Sequence, residues 1–432
     1  MGHIPMYTSL VRQRIAMAAA LATATALAAC GGGGGSGGSG SSSVVIDELV
    51  PLTGPSADIG PQDDIPGFTA AQAAINAAGG ILGKKLTLVQ TDLGADPADS
   101  VTNTRQMLAA NSGLSGVVGL TSDTAVVSAN VLESSHIVCI TQAGTLQLDH
   151  YKSKYIFRLF PPDSTNSVAM AAVALKKGYT HAALLIGQNS GSQSVIPPLQ
   201  ASYTKHGGTI VDNEVLPLDQ TSYQVELAKM IAAKPDVIFY ETDEQTAATI
   251  FSELKTLNNL SIPIIGTSAT GTGPFWQTAS QAVGGYAEMA KFFVDVNAPS
   301  QYSGAGYQTF KKYYSKLYPS DTPNVYLAGN YDSVVVMALA MTMANSTDPT
   351  VYVADIPKVV ADHSATSVTN YADGVAAIKA GKSFYYNGTL GPVSFDQYHS
   401  IAGEYVVEQS LPDGSGFHTI QDVPNDVVAA YE

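Results

Sequence analysis

From residue 44 onward, short apolar runs alternate with longer alanine-rich segments of helical periodicity, and clusters of Gly, Ser, Thr and Asp separate them. Short, uniformly apolar strands are typical of parallel sheets, because helices cover both faces of such a sheet. The predicted strands are residues 44–50, 86–90, 116–119, 137–140, 182–186, 209–215, 237–240 and 262–265. The predicted helices include residues 68–78, 101–111, 124–133, 167–177, 223–233 and 245–258. The pattern therefore predicts an α/β fold with doubly wound parallel sheets.

Polar, glycine-rich segments follow several predicted strands: residues 51–60, 121–124, 141–145, 187–193, 241–244 and 267–273. The carboxyl ends of parallel strands meet at one edge of a sheet, and ligands of open α/β sheets bind there. Three carboxylates, Glu241, Asp243 and Glu244, stand directly after one strand. They fit a metal site, an acid–base pair or the acidic first turn of a helix. We expect one of them to face a ligand and the others to face solvent.

The first residues indicate export rather than fold. Arg12 and Arg14 precede an apolar, alanine-rich stretch that is too short to span a bilayer, and it ends in Leu-Ala-Ala followed by Cys30. This ending resembles the lipobox of bacterial lipoproteins, in which the cysteine thiol receives the lipid. Residues 1–29 are therefore predicted to be a signal peptide and Cys30 the lipidated N-terminus. Residues 30–43 are predicted to be a flexible tether, since 31–43 are only Gly and Ser.

Composition narrows the class of function. The chain is 45% hydrophobic and 13% charged, which is typical of a globular protein. Its formal net charge of −15 and the lack of a long basic run argue against a nucleic-acid partner. The histidines have no zinc-site spacing, and no GxSxG or P-loop sequence occurs, so no enzyme, cofactor or metal is predicted. With Cys30 lipidated, Cys139 has no disulfide partner and is predicted to be a buried hydrophobe.

Six segments carry a family resemblance: VIDELVPLTGPSADIG at 45–60, AINAAGGILG at 74–83, residues 86–97, residues 117–123, YIFRLFPPD at 155–163 and LGPVSFD at 390–396. In this order they resemble the periplasmic binding proteins for leucine, isoleucine and valine. Related members bind amides, urea or aromatic acids for ABC importers, and others serve as sensor domains. The resemblance implies two lobes and a hinge of three crossings, near residues 158–163, near 291–297 and after Met343.

These crossings imply the division of the chain into lobes. Lobe 1 is expected to comprise residues 44–160 and 295–345. Lobe 2 is expected to comprise residues 161–294 and 346–432.

The resemblance also implies which residues bind the ligand carboxylate. Ser122 matches the family's serine, and Ala143 and Thr145 match the alanine–threonine pair on the next loop. Ser122 and Thr145 are expected to donate hydroxyl and backbone N–H groups, and Ala143 to offer its carbonyl.

The positions that the family uses for the rest of the ligand have changed. Ile59 stands where the first lobe has an aromatic residue, while Gly191 and Asp243 stand where the second lobe has tyrosines. Ser268 replaces the carboxylate that pairs with the ligand ammonium. Tyr331 is a candidate for the first-lobe wall of the cleft.

Two explanations of these changes stay open. Either Asp243 or Glu241 has taken over the pairing with an ammonium group, or the ligand has no amine. A serine cannot neutralise a buried cation, and an unpaired buried charge is costly. The loss of suitable groups at Gly191 and Ser268 favours an acid without an amine.

The predicted function is that of a periplasmic, membrane-anchored solute-binding lipoprotein that closes its lobes around a small carboxylate-bearing molecule. Its predicted partners are the solute, the permease subunits of an ABC transporter, and the membrane through a lipid on Cys30. The alternatives are a ligand-sensing domain of the same fold that signals to another protein, or a binder of amide or urea-type solutes.

Overall fold

A computed structural model describes residues 43–54, 57, 59–94, 96–299 and 304–432. The predicted signal peptide, Cys30 and nearly all of the predicted tether lie outside the described residues.

Two large sheets organise the described residues. The strands are β1 Ser43–Val50, β2 Lys85–Asp92, β3 Leu114–Gly119, β4 Cys139–Thr141, β5 Ile156–Arg158, β6 His181–Gly187, β7 Thr209–Leu216, β8 Val237–Glu241, β9 Ile264–Gly266, β10 Phe293–Asn297, β11 Thr366–Val368, β12 Phe384–Tyr386, β13 Tyr405–Ser410 and β14 Phe417–Val423. The first sheet has the order β2-β1-β3-β4-β5 and is parallel throughout. The second has the order β14-β13-β10-β9-β8-β6-β7. In this sheet β13 is antiparallel to both of its neighbours, β10 and β14, and the other strand pairs are parallel.

Helices cover both sheets. They are α1 Ile65–Ala77, α2 Pro97–Ala110, α3 Ala125–Ser134, α4 Asp163–Lys176, α5 Ser190–Gln193, α6 Ile196–Lys205, α7 Gln224–Ala232, α8 Glu244–Thr256, α9 Gly273–Val283, α10 Tyr286–Met289, α11 Ala305–Leu317, α12 Val325–Met343, α13 Pro349–Tyr352, α14 Ile356–Ala361, α15 Tyr371–Lys379 and α16 Asn425–Tyr431. One π-helical segment, Gly60–Asp64, precedes α1, and 3-10 turns occur at Leu146–Leu148, Ser268–Thr270 and Val353–Asp355.

The predicted doubly wound α/β fold is confirmed. Every strand and helix that the sequence pattern predicts is present, with ends displaced by a few residues. The first predicted helix ends at Gly79 and Gly80, whose φ angles are 101° and 74°. Glycine adopts this left-handed conformation without strain, and the Gly80 N–H donates to the Ile75 carbonyl at 2.9 Å.

Each sheet belongs to its own lobe. In the first lobe, α1, α11 and α12 share one apolar core with β1. In the second lobe, α4 and α6 pack on one face of the sheet, while α8 and α9 pack on the other. Within the described residues, α12 is long and apolar enough to cross a membrane, but 89% of its apolar window is buried inside the protein. It is therefore the central core helix of the first lobe.

The chain divides between the lobes differently from the expectation. Residues 349–386, which the sequence assigned to lobe 2, pack on α12 and share the first-lobe core through Tyr352, Tyr371 and Tyr386. Strand β10, part of which was assigned to lobe 1, lies in the second sheet. The physical reason is that α12 is apolar on all sides, so its outer side needs the cover that α14 and α15 provide.

The chain crosses between the lobes three times. The first crossing lies between β5 and α4, the second between β10 and α11, and the third between β12 and β13. The first and third crossings are paired, because the Arg158 N–H donates to the His399 carbonyl at 2.8 Å and the Ile401 N–H donates to the Arg158 carbonyl at 3.2 Å.

Asp332 fixes the start of the third crossing to α12. Its carboxylate accepts hydrogen bonds from the Tyr386 hydroxyl at 2.6 Å and from the Thr389 N–H and hydroxyl at 2.7 and 2.8 Å. Burial raises the pKa of Asp332 to about 6, and these hydrogen bonds hold it below a still higher value.

We expect Asp332→Ala to lower the free energy of unfolding by at least about 3 kcal/mol, since each buried donor left unsatisfied costs about 1–3 kcal/mol. Urea titration followed by circular dichroism measures this change. Asp321→Ala is the matched control, because Asp321 is exposed just before α12. A loss below about 1 kcal/mol, the usual effect of an ordinary substitution, contradicts the role of Asp332.

Candidate ligand-binding cleft

The carboxyl ends of the two parallel sheets face each other and are in contact. Asp123, in the loop after β3, accepts hydrogen bonds at Oδ1 from the Ser190 hydroxyl and the Gly191 N–H, both at 2.6 Å. Asp163, which ends the first crossing, accepts a hydrogen bond from the Ser194 hydroxyl at 2.7 Å. The contact of Asp123 with α5 therefore closes the cleft between the lobes at this point, whereas the Asp163–Ser194 hydrogen bond lies within the second lobe.

Gly191 makes this close approach possible. A Cβ atom at position 191 would lie 3.3 Å from the Ser122 Cβ and 3.4 Å from Asp123 Oδ1. A side chain at this position therefore requires Ser122 to shift by a few tenths of an ångström. Gly191 thus contacts the opposite lobe through its backbone, and Ser122 lies directly across from it.

The loop after β4 carries the other two residues predicted to bind a carboxylate. Ala143 and Thr145 are both buried, and the Ala143 N–H donates to the Thr141 hydroxyl at 3.0 Å. Arg158 Nη1 donates to the carbonyls of Gly144 and Thr145 at 3.1 and 3.2 Å. The guanidinium therefore fixes the shape of this loop from beneath.

Two further carboxylates lie at the same place, Asp163 and Glu241. The Asp163 side chain lies against Gly144, since a Cβ at position 144 would be 1.9 Å from Asp163 Oδ1. Glu241 is the last residue of β8 and is 8% exposed. Burial raises the pKa of Asp163 to about 7, and the Glu241 charge adds to that increase. Burial also raises the pKa of Glu241, with a contribution from Asp123.

Buried polar atoms without a hydrogen-bond partner occur at the carboxyl ends of strands in both sheets. Within the described part of the chain they include Gln142 Oε1 after β4, Asp243 Oδ2 after β8 and Asn297 Nδ2 at the end of β10. Buried polar atoms in folded proteins are nearly always paired, so these three atoms at strand ends are candidates for contact with a ligand.

Two other predicted site residues, Asp243 and Ser268, make hydrogen bonds to groups of their own lobe. Asp243 Oδ1 caps α8 by accepting from the N–H groups of Gln245 and Thr246 at 3.0 and 2.9 Å, which is the helix-start interpretation of this acid. The Ser268 hydroxyl donates to the Val296 carbonyl at 3.3 Å. Ile59 is half-buried at the start of the π-helical segment.

Tyr331 lies in the first-lobe core rather than at the cleft. It is 0% exposed and its ring contacts Phe310 with centroids 5.4 Å apart. The aromatic residue of α12 nearest the acids is Tyr326, in the first turn of the helix. Its ring stacks on Phe160 at 4.8 Å, and its carbonyl accepts from Gln142 Nε2 at 2.8 Å. Burial raises the pKa of Tyr326, and the charges of Asp163 and Glu241 add to this increase.

Cys139 is buried as expected, and burial raises the pKa of its thiol. Among the described residues, no group of three or more His, Cys, Asp and Glu side chains could hold a metal ion.

Two α/β lobes that present the carboxyl ends of their strands across a cleft, joined by three crossings, form the architecture of a two-lobed solute-binding protein. The model of the family described as "Periplasmic binding protein" matches residues 46–407. The chain belongs to this family. Its members are periplasmic, and the chain is a binding protein rather than an enzyme.

Individual relatives are distant. Leu/Ile/Val-binding protein homolog 3 of Brucella melitensis is 23% identical over 316 residues, which is 72% of this chain and 82% of that protein. The crystal structure of a leucine-binding protein from Thermotoga maritima has a TM-score of 0.71 at 17% identity and covers 89% of this chain and 99% of its own. A solute-binding protein of an ABC transporter from R. palustris, in complex with benzoate, has a TM-score of 0.69 at 16% identity and covers 89% and 97%. These structures share the fold.

Asp123 gives a test of the contact between the lobes. We expect Asp123→Ala to open the ligand-free protein, because Ser190 and Gly191 then lose their shared acceptor. Small-angle X-ray scattering should show a larger radius of gyration than the wild type. Asp422→Ala, at an exposed position of β14, is the control. An unchanged radius in Asp123→Ala contradicts the interpretation.

Proposed function

We propose that this protein is the extracytoplasmic solute-binding lipoprotein of an ABC importer and that it captures a small, carboxylate-bearing, amino-acid-like molecule by closing its two lobes. The observation that carries the proposal is the contact between the strand-end loop of Asp123 in the first lobe and α5 in the second. A molecule bound there contacts both lobes at once.

The carboxylate end of the ligand is proposed to bind Ser122, Ala143 and Thr145. The names of the relatives support a carboxylate, since leucine and benzoate share only this polar group. Support also comes from Arg158, which underlies the Thr145 loop and adds positive potential there. The lobe-to-lobe contact at Gly191 keeps Ser122 at the mouth of the cleft.

The proposed mechanism is hinge closure. A ligand shifts the equilibrium toward the closed form only by its differential affinity for that form, and contacts from both lobes supply this difference. The contact of Asp123 with α5 stabilises the closed form as well. A micromolar complex corresponds to about −8 kcal/mol, which several charge-assisted hydrogen bonds can provide.

Native mass spectrometry of protein purified from its host, followed by small-angle scattering with and without the molecule it retains, tests this function. We expect one small molecule per chain, released unchanged, and a smaller radius of gyration in its presence. Chemical conversion of the molecule, or the same radius in both states, contradicts the proposal.

The proposed membrane anchor is tested separately. We expect metabolic labelling with a fatty acid to mark the wild type and to be lost in Cys30→Ala, because the thiol is the attachment point. Cys139→Ala is the matched control and should keep the label, since Cys139 is buried. Label that persists in Cys30→Ala contradicts the anchor.

A further inference from the structure

On the basis of the proposed function, we propose that Arg158 is the positioning residue of the carboxylate site. It binds the carbonyls of Gly144 and Thr145 and thereby turns the Thr145 N–H toward the ligand. Arg158 does not contact the ligand itself, and its effect on binding passes through the backbone of the loop after β4. The preference of the protein for an acid over the neutral amide of that acid then depends on Arg158.

The guanidinium of Arg158 has a partner at each of its nitrogens. Arg158 is the last residue of β5 and is 2% exposed. Its Nη1 donates to the carbonyls of Gly144 and Thr145 at 3.1 and 3.2 Å, its Nη2 binds Asp149 Oδ1 at 2.8 Å, and its Nε donates to the Ser400 hydroxyl at 3.0 Å. Partners at all three nitrogens fix the orientation of this planar group. The guanidinium is therefore a rigid support beneath the loop.

The two carbonyls determine where the neighbouring N–H group points. In a planar trans peptide, the C=O and the N–H of the next residue point in opposite directions. Because the Gly144 carbonyl points at Arg158, the Thr145 N–H points to the opposite side of the loop. The guanidinium also lies at the negative end of this peptide dipole. It polarises the peptide, and the Thr145 N–H becomes a stronger donor for an anion.

Other groups hold the same two carbonyls. The Asp163 N–H donates to the Gly144 carbonyl at 2.8 Å, and the Leu148 N–H donates to the Thr145 carbonyl at 3.0 Å. Position 144 has no room for a side chain, since a Cβ there would lie 1.9 Å from Asp163 Oδ1. These contacts restrict the loop to one backbone conformation. Among these partners of the two carbonyls, only Arg158 carries a positive charge.

Asp149 offsets the charge of Arg158. Its side chain is 17% exposed and pairs with the guanidinium, so its negative charge cancels part of the positive potential at the loop. An asparagine at position 149 keeps an oxygen that accepts from Nη2 and removes the negative charge. Loss of a merely structural contact weakens binding, whereas removal of this charge strengthens the attraction of the loop for an anion. The two roles therefore predict changes of opposite sign.

Calorimetry compares leucine with leucinamide and benzoate with benzamide, pairs in which an amide replaces the carboxylate. We expect the wild type to bind at least one of the acids more tightly than its amide. Arg158→Lys should weaken that acid by about tenfold or more, because one ammonium group cannot hold both carbonyls and their neighbours in the same geometry. The affinity for the amide should change less.

Two further variants complete the comparison. Asp149→Asn should tighten the acid by about twofold or more and leave the amide unchanged. This variant tests the proposal even where Arg158→Lys fails to fold, which circular dichroism detects. Arg105→Lys, at an exposed position of α2, is the matched control and should bind both probes as the wild type does.

A spectroscopic measurement reports on Thr145 directly. In protein that carries isotope-labelled threonine, saturation with the acid should move the amide proton signal of Thr145 downfield, because its N–H then donates to an anion. The amide should produce a smaller movement. In Arg158→Lys the movement caused by the acid should shrink even at saturation, which a change in affinity alone does not produce.

Each result supports or overturns the inference. An equal loss of affinity for acid and amide in Arg158→Lys, or no loss, overturns it while solute capture stands. Unchanged or weaker binding of the acid in Asp149→Asn also overturns it. Binding of neither acid by the wild type removes the carboxylate site on which the inference rests. If native mass spectrometry then finds no retained molecule, the proposed function is overturned as well.

Discussion

The buried guanidinium of Arg158 holds together parts of the chain that are far apart in sequence. It binds Asp149 and the carbonyls of Gly144 and Thr145, and it reaches Ser400 of the third crossing. A buried charge is stable only when its partners are in place. The shape of the first-lobe loop, the pairing of two hinge crossings and the position of Asp163 a few residues later therefore depend on this one side chain.

The acidic character of the cleft follows from this arrangement. The Arg158 guanidinium binds Asp149 and backbone carbonyls, and it makes no ion pair with Asp163 or Glu241. Burial raises the pKa of both of these carboxyl groups. Ser194 donates to Asp163 within the second lobe, and α5 donates to Asp123 of the first lobe. The Asp123 contact therefore brings the lobes together on the side of the cleft where these buried carboxyl groups lie.

Sequence reasoning located the cleft better than it located the residues within it. Four of the predicted residues lie at the ends of strands, as expected: Ser122, Thr145, Gly191 and Asp243. One carboxylate oxygen of Asp243, however, caps α8 by accepting hydrogen bonds from its first N–H groups. The candidate Tyr331 does not line the cleft, because α12 begins at Val325 and residue 331 lies well inside the helix. Tyr326 is in the first turn and lies near the acids, while Tyr331 is in the core.

The sequence by itself determined the α/β class and the edge of each sheet that carries the polar loops, because alternation and periodicity are properties of neighbouring residues. The two lobes were implied by the family resemblance. Only the tertiary structure decided that residues 349–386 cover α12 and that Asp123 of the first lobe contacts α5 of the second. These outcomes depend on which surfaces remain uncovered once the sheets form and on contacts between different lobes. Both are long-range properties, so no local pattern in the chain encodes them.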